Sequence, residues 1–332
     1  MAKTFEESLL LQPDPTLPST FTNIHTPWTW PFTKVVPGGT LMALSAAAAR
    51  TTLASSSTTA VLNNLQIHFL AGPNSRKPIT FTVNTVSSGR RFQVRSVNVS
   101  QEGKPMCFVT CTFMIAGAWR GKSMKHTTSR ATAGRLSRIT IDDLSPGRSP
   151  DAQGHHSGPF MAFQRLPLVV VPDSSTNTHR LAGSSGPKPK PSPQQIIAPV
   201  ACHITPAITS SDPFMQVLGV LSLSDYHVLD FPPTVHAISF GLAPIGEPVE
   251  NIQLPQFKLF TSLNHTIHFE HNDGLRADEM TYVEVTGPWA RDGRAVINSK
   301  IFTEQGSLIA TCVQEAYYVL IDDAESGIGS KL

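Results

Sequence analysis

The chain has 332 residues, of which 40% are hydrophobic and 15% are charged, and its net charge is only +2. This composition predicts a globular protein with a large core, long enough for two domains or one duplicated domain. The near balance of charges gives no reason to expect a nucleic-acid partner. No apolar run reaches the roughly 20 residues that a membrane-spanning helix needs.

The first half is predicted to contain one helix followed by several strands. Residues 41–50 are rich in Ala and Leu, which favour helix, and they follow Gly38 and Gly39. Nearly all of them are small or apolar, so this helix should be buried on most sides. The four cysteines show neither Cys-x-x-Cys nor metal-ligand spacing, so we expect buried thiols and no metal site.

A segment of different composition separates the two halves. Residues 121–199 are rich in Ser, Pro, Thr and Gly and are predicted to form a linker or insertion. One apolar patch within it, at residues 166–171, could pack as a strand. This division gives an N-terminal domain at residues 1–120 and a C-terminal domain at residues 200–323.

The second half repeats the pattern of the first. Asp212 and Pro213 are typical of an N-cap and a first helical position, so a helix should begin there. Residues 265–269 then resemble residues 65–69, and a strand, a Gly turn and a second strand follow in each half. A helix followed by antiparallel strands, present twice, indicates a duplicated α+β fold.

Several motifs occur in an order that resembles a known family, the acyl-CoA thioesterase II and fungal thioesterase-like proteins. The resemblance is carried by residues 38–39, 69–73, 88–95, 101–104, 224–225, 231–233, 263–269, 276–279 and 306–315. It implies a double hotdog, in which two tandem repeats each wrap an antiparallel sheet around a helix. The implied substrate is an acyl-CoA or a polyketide-type thioester, with no cofactor apart from the coenzyme A of the substrate.

The resemblance also implies a catalytic site in the second repeat, where an Asp, a Ser or Thr and a Gln hold a water. Gln314 matches the Gln, but Asn264 stands in the place of the Asp. Gly287 stands in the place of the hydroxyl residue. Its neighbour Thr286 should point to the opposite face of the strand, so it replaces the hydroxyl only if the backbone shifts locally. An Asn amide cannot take up a proton, and loss of a general base costs roughly 10²–10⁴-fold.

This degenerate triad leaves three functions open. One is hydrolysis of thioesters by another base, and another is acyl transfer, cyclisation or dehydration in secondary metabolism. The alternative is a catalytically silent acyl-CoA-binding protein.

Further residues are candidates for substrate binding. The backbone N–H groups of Gly38 and Gly39, at the start of a helix, suit a developing oxyanion. Asp225 and His268 are polar residues in apolar stretches, where a structural role is the alternative for each.

Two adjacent arginines give a candidate contact for coenzyme A. Together with Arg95, Arg90 and Arg91 form a basic group on one predicted strand. A guanidinium binds phosphate well, and the alternative is a solvated strand edge that discourages aggregation.

The last three residues, Ser330, Lys331 and Leu332, match a peroxisomal address at the end of a polar tail, residues 324–332. The motif predicts a peroxisomal location and an import receptor as a partner. Because a double hotdog can pair further through its sheet edges, a homo-oligomer is a candidate assembly.

Overall fold

The computed structural model describes residues 2–30, 33–53, 60–117, 122, 124–135, 141, 155–158, 160–171, 191–226, 228–241, 254–270 and 274–321. The first repeat contains α1 (Phe5–Ser8), β1 (Leu11–Pro13), β2 (Thr20–Asn23), α2 (Gly38–Thr51), β3 (Ala60–Phe69), β4 (Thr80–Ser88), β5 (Phe92–Gln101) and β6 (Lys104–Ile115). The middle of the chain contains β7 (His155–Gly158), β8 (Met161–Arg165), β9 (Val169–Val170) and β10 (Ile196–Ile204). The second repeat contains α3 (Pro213–Ser224), α4 (Phe231–Val235), β11 (Phe257–Phe269), β12 (Thr281–Arg291), β13 (Arg294–Thr303) and β14 (Leu308–Leu320).

The strands form one antiparallel sheet that passes through both repeats. In the described part of the chain its order is β1-β2-β4-β5-β6-β3-β11-β14-β13-β12-β10-β8-β7, with β9 paired to β10. The repeats meet where β3 pairs with β11, and this register is itself nearly two-fold: Asn264 lies opposite His68, and His268 lies opposite Asn64. Each repeat therefore contributes one central strand to the junction, as duplication predicts.

The helices α2 and α3 pack against each other and form the centre of the core. Their contact is close at Gly39, where an added Cβ would lie 2.5 Å from the backbone oxygen of Ser222. Only glycine fits at that distance. The start of α3 is as predicted, because the Asp212 carboxylate accepts a hydrogen bond from the Phe214 backbone N–H at 3.0 Å and Pro213 is the first helical residue.

The sheet of the second repeat extends into the segment predicted as a linker. β10 pairs with β12, with Val200 opposite Val283, and β8 pairs with β10. Within the apolar patch at residues 166–171, Val169 and Val170 form β9 against β10. Short apolar strands inside a Ser- and Pro-rich stretch do not change its average composition, so the boundary at residue 200 lies inside β10. The most proline-rich part, residues 172–190, lies outside the described residues.

All four cysteines are buried free thiols, which agrees with the prediction. Burial raises the pKa of the thiols of Cys107, Cys111, Cys202 and Cys312 to about 12. They are therefore neutral and unreactive near neutral pH. Among the described helices, none has the length and apolar character needed to cross a membrane.

A candidate active site between the two repeats

Asp225 connects the end of one repeat's helix to the start of the other's. It is the C-cap of α3, and its Oδ2 accepts a hydrogen bond from the Gly39 backbone N–H at 2.9 Å. The N-cap of α2, Pro37, supplies no side-chain acceptor, so Asp225 takes that role. A negative charge is favourable at this end of a helix. A Cβ on Gly38 would lie 2.8 Å from Asp225 Oδ2, so the carboxylate approaches this closely only because residue 38 is glycine.

Gln314 links Asp225 to two residues of β11. Its Nε2 donates to Asp225 Oδ1 at 2.9 Å and to Ser262 Oγ at 2.6 Å. Its Oε1 lies 2.9 Å from His265 Nδ1. Gln314 is 1% exposed and His265 is 0% exposed. We refer to Asp225, Ser262, His265 and Gln314 as the polar cluster.

The β11–β14 register explains how these side chains meet. His265 lies opposite Gln314, and both point to the helix side of the sheet. A β-bulge lies between Ser262 and Asn264, because Ser262 pairs with Ala316 and Asn264 pairs with Glu315. The bulge changes the alternation, so Ser262 faces the cluster although it is two residues from Asn264.

Burial sets the protonation of the cluster. It raises the pKa of Asp225 to about 6, although hydrogen bonds from Gly39, Gln314 and Gly38 act in the opposite direction. It lowers the pKa of His265 to about 4, so this imidazole is neutral near pH 7. Because an amide oxygen only accepts, His265 Nδ1 must carry the hydrogen that bonds to Gln314. Asp225 is then the group in the cluster that can exchange a proton near neutrality.

The duplicated fold contains an equivalent place in which the same chemistry is missing. Leu65 and Cys111 pair across β3 and β6, as His265 and Gln314 pair across β11 and β14. Thr52 is the C-cap of α2, as Asp225 is the C-cap of α3. A leucine, a threonine and a thiol with a strongly raised pKa supply no base near neutral pH. The polar cluster is therefore specific to one of the two equivalent places.

The structure does not bring Asn264 to Gln314. The Asn264 amide donates to Glu315 Oε2 at 3.2 Å, on the outer face of the sheet. Asn264 and His265 are strand neighbours that point to opposite faces, and His265 is the one that faces Gln314. The bulge that decides this has no local sequence signal. The carboxylate beside Gln314 comes instead from Asp225, which the sequence indicated as a substrate-binding candidate and as a residue that ends a helix.

Thr286 and Gly287 point to opposite faces, as expected. A Cβ on Gly287 would lie 2.7 Å from Phe231 Cε1, so Gly287 faces α4. The Thr286 hydroxyl lies 3.4 Å from the Asn298 backbone oxygen and makes no contact with the polar cluster. A cavity of about 150 Å³ borders Gly287 and is lined partly by Phe231, Pro232, Val235 and Trp289. The cluster's hydroxyl is that of Ser262, which sequence reasoning missed.

The other predicted residues lie away from the cluster. His268 Nδ1 is 3.2 Å from Asn64 Nδ2 on the outer face. The predicted basic group is divided, because Arg90 and Arg91 are exposed between β4 and β5, whereas Arg95 lies within β5, is 3% exposed and donates to the Ser87 backbone oxygen at 3.0 Å. Of the predicted binding residues, Gly38, Gly39 and Asp225 do meet. Ser330, Lys331 and Leu332 lie outside the described residues.

Aromatic side chains border the polar cluster. The rings of Trp28 and Trp30 have their centroids 6.3 and 5.7 Å from that of Tyr226, the neighbour of Asp225. Over the described ranges, no three His, Cys, Asp or Glu side chains are placed to hold a metal ion.

Comparison with known proteins identifies the family. Residues 26–115 match the acyl-CoA thioesterase N-terminal domain, and residues 144–318 match the acyl-CoA thioesterase C-terminal domain. The chain is 23% identical to acyl-coenzyme A thioesterase 8 of Homo sapiens over 261 residues, covering 76% of this chain and 72% of that one. It is 23% identical to acyl-CoA thioesterase 2 of Haemophilus influenzae over 255 residues, covering 77% and 78%.

Solved structures confirm the fold. An acyl-CoA thioesterase II from Mycobacterium marinum superposes with a TM-score of 0.63 at 19% identity, covering 96% of this chain and 98% of that one. A hot dog fold protein from Alicyclobacillus acidocaldarius superposes with a TM-score of 0.59 at 13% identity, covering 95% and 97%. The predicted α+β double hotdog is thus confirmed, and the chain belongs to the acyl-CoA thioesterase family.

Proposed function

We propose that this protein hydrolyses acyl-CoA thioesters and that Asp225 is the general base. The observation that carries the proposal is the position of the Asp225 carboxylate, which lies between the Gln314 amide and the N-terminus of α2. The Asp225 carboxylate can take up a proton near neutral pH, and it lies at the N-terminus of α2, which favours negative charge.

The reaction follows from these two properties. Asp225 takes a proton from a water whose oxygen attacks the thioester carbonyl carbon. The negative charge that forms on the carbonyl oxygen is stabilised by the N-terminus of α2. Because Asp225 loses its own charge in this step, it competes less for the Gly38 and Gly39 N–H groups as the oxyanion forms. The C–S bond then breaks, and the leaving thiolate of coenzyme A takes the proton back from Asp225.

The test is the release of free thiol from a panel of thioesters. The panel contains medium- and long-chain acyl-CoAs and a β-keto thioester, because the sequence also predicts polyketide-type substrates. We expect Asp225→Asn to lower kcat by roughly 10²–10⁴-fold, the usual contribution of a general base. Gln314→Ala should also impair release.

Asn264 provides a matched variant that separates the two possible sites. Asn264→Asp should leave hydrolysis unchanged if the carboxylate of Asp225 is the base. A gain in hydrolysis would place the reaction at Asn264 and contradict this proposal. Tight binding of acyl-CoA without thiol release from any substrate would instead support a silent binding protein or a non-hydrolytic reaction.

The proposed location is the peroxisome, supported by Ser330, Lys331 and Leu332. A fluorescent protein fused to the N-terminus should co-localise with a peroxisomal marker. The same fusion without the last three residues should remain diffuse, and unchanged co-localisation of that fusion would rule out this motif as the signal.

A further inference from the structure

We propose that His265 is a positioning residue that holds the Gln314 amide with its NH₂ group toward Asp225 and Ser262. The inference rests on the proposed function, because the group that His265 orients through Gln314 is the proposed base. It adds a role that sequence reasoning did not give to His265.

The two ends of an amide have the same shape but opposite polarity. In the observed orientation, Gln314 Oε1 lies 2.9 Å from His265 Nδ1, and Nε2 lies 2.9 Å from Asp225 Oδ1. Rotation by 180° would bring the amide oxygen against the carboxylate and the NH₂ group against an imidazole N–H. Both contacts would be repulsive, so His265 and Asp225 each favour the same orientation.

The two partners differ in what happens during a reaction. Asp225 gains a proton in the proposed mechanism, and a protonated carboxyl group can donate a hydrogen bond as well as accept one. At that moment Asp225 no longer selects between the two orientations of the amide. His265 remains a donor through Nδ1 and continues to select the productive one.

The surroundings of His265 suit a donor that does not titrate. The side chain is 0% exposed in the middle of β11, and the shorter of its two hydrogen-bond contacts is the 2.9 Å one between Nδ1 and Gln314. Its Nε2 lies 3.4 Å from Ser224 Oγ of α3, whose hydroxyl donates to the Leu221 backbone oxygen at 2.9 Å. Its Nδ1 is 3.9 Å from Asp225 Oδ1, a contact between a carboxylate and a neutral ring because burial lowers the pKa of His265 to about 4.

Among the residues that the structure describes, the titratable side chains that interact with the charge of Asp225 are His265 on β11, Cys312 on β14 and its own neighbour Tyr226. The pKa values of the Cys312 and Tyr226 side chains are strongly raised by burial, so neither is charged near neutral pH. The N-terminus of α2 contributes only backbone N–H groups. Loss of the Gln314 hydrogen bond should therefore raise the pKa of Asp225, because that bond favours the charged carboxylate.

The experiment compares His265→Leu, which has no donor, with His265→Asn, whose side-chain N–H can replace the Nδ1 donor. We measure the pH profile of kcat and kcat/KM, and the titration of the Asp225 carboxyl by carbon-13 NMR. His265→Leu should lower kcat by up to roughly 10²-fold, the cost of a small displacement of a catalytic group. It should also move the acid limb of the profile and the Asp225 titration to higher pH, and His265→Asn should restore both.

Two results would overturn the inference. One is a folded His265→Leu variant in which Asp225 titrates as in the wild type. The other is a His265→Asn variant as impaired as His265→Leu, which would indicate a packing role only.

Two readouts keep the test decisive. If His265→Leu does not fold, nitrogen-15 NMR of the wild-type imidazole still reports its tautomer, and hydrogen on Nε2 instead of Nδ1 would refute the proposal. The NMR titration does not depend on turnover. Absence of hydrolysis in the wild type would therefore contradict the proposed function while still allowing the effect of His265 on Asp225 to be measured.

Discussion

Replacement of Asp225 by Asn should lower kcat by roughly 10²–10⁴-fold and at the same time change how stability depends on pH. In the folded protein, burial raises the pKa of this carboxyl from its ordinary value of 3.8 to about 6. The folded state therefore binds the proton more tightly than the unfolded state between these values. The contribution of Asp225 to stability is greatest below pH 3.8 and is lost as the pH rises through about 6.

The size of the effect follows from the same values. The rise of the pKa from 3.8 to about 6 corresponds to ~3 kcal/mol of unfolding free energy once Asp225 is fully charged. About half of this, ~1.4 kcal/mol, develops between pH 5 and pH 8. An asparagine at position 225 does not titrate. Relative to the wild type, Asp225→Asn should therefore become more stable by ~1.4 kcal/mol between pH 5 and pH 8.

Comparing the stability difference between variant and wild type at two pH values cancels every contribution to the unfolding free energy that does not depend on pH. Asn caps helices about as well as Asp, but its NH₂ group conflicts with one of the donors that now face Asp225, at a cost of about 1–3 kcal/mol. This cost is the same at both pH values. The pKa of His265 is lowered, so its contribution is lost as the pH falls, and it is present in both proteins.

The measurement is urea unfolding at pH 5 and pH 8, with thiol release measured on the same samples. Glu102→Gln is a control, because Glu102 is exposed in an ion pair with Lys77. Equal stability differences between Asp225→Asn and the wild type at the two pH values would refute the argument for a raised pKa. Retained thiol release at pH 8 would refute the assignment of Asp225 as the base.

Three further outcomes are expected. Gly39→Ala should destabilise the protein by about 1–3 kcal/mol in urea unfolding and lower activity, because the new methyl group would lie 2.5 Å from the Ser222 backbone oxygen. An unchanged urea midpoint would contradict the close contact of α2 and α3. Gly287→Ser should also destabilise the folded protein, because Phe231 Cε1 lies 2.7 Å from the added Cβ. Adding Phe231→Ala should relieve this steric effect. A gain in hydrolysis from Gly287→Ser alone would mean that the new hydroxyl belongs to the active site. The four cysteines should react slowly with a thiol reagent in the native state and fully in urea, and rapid native labelling would show that one of them is accessible.

The sequence alone was sufficient for the architecture. Helix and strand propensity and hydrophobic periodicity act over a few neighbouring residues. They were enough to predict a duplicated unit of one helix followed by antiparallel strands, and to predict the start of α3 at Asp212 and Pro213. The same local reasoning predicted a helix at residues 41–50, and α2 begins earlier, at Gly38. It did not detect β8 and β10 inside the Pro- and Ser-rich segment, because short strands become visible only when they pair with an existing sheet edge.

The site was decided by tertiary structure. Gln314 could be named from the sequence, but its carboxylate partner could not, because Asp225 is 89 residues away and reaches it only when α3 ends beside α2. Asn264 occupies the expected position in the sequence, yet the bulge next to it turns its side chain to the outer face and leaves His265 and Ser262 facing the helices. Alternation along a strand determines which neighbours share a face, but only the packed sheet and the helix beneath it determine which face is the inside.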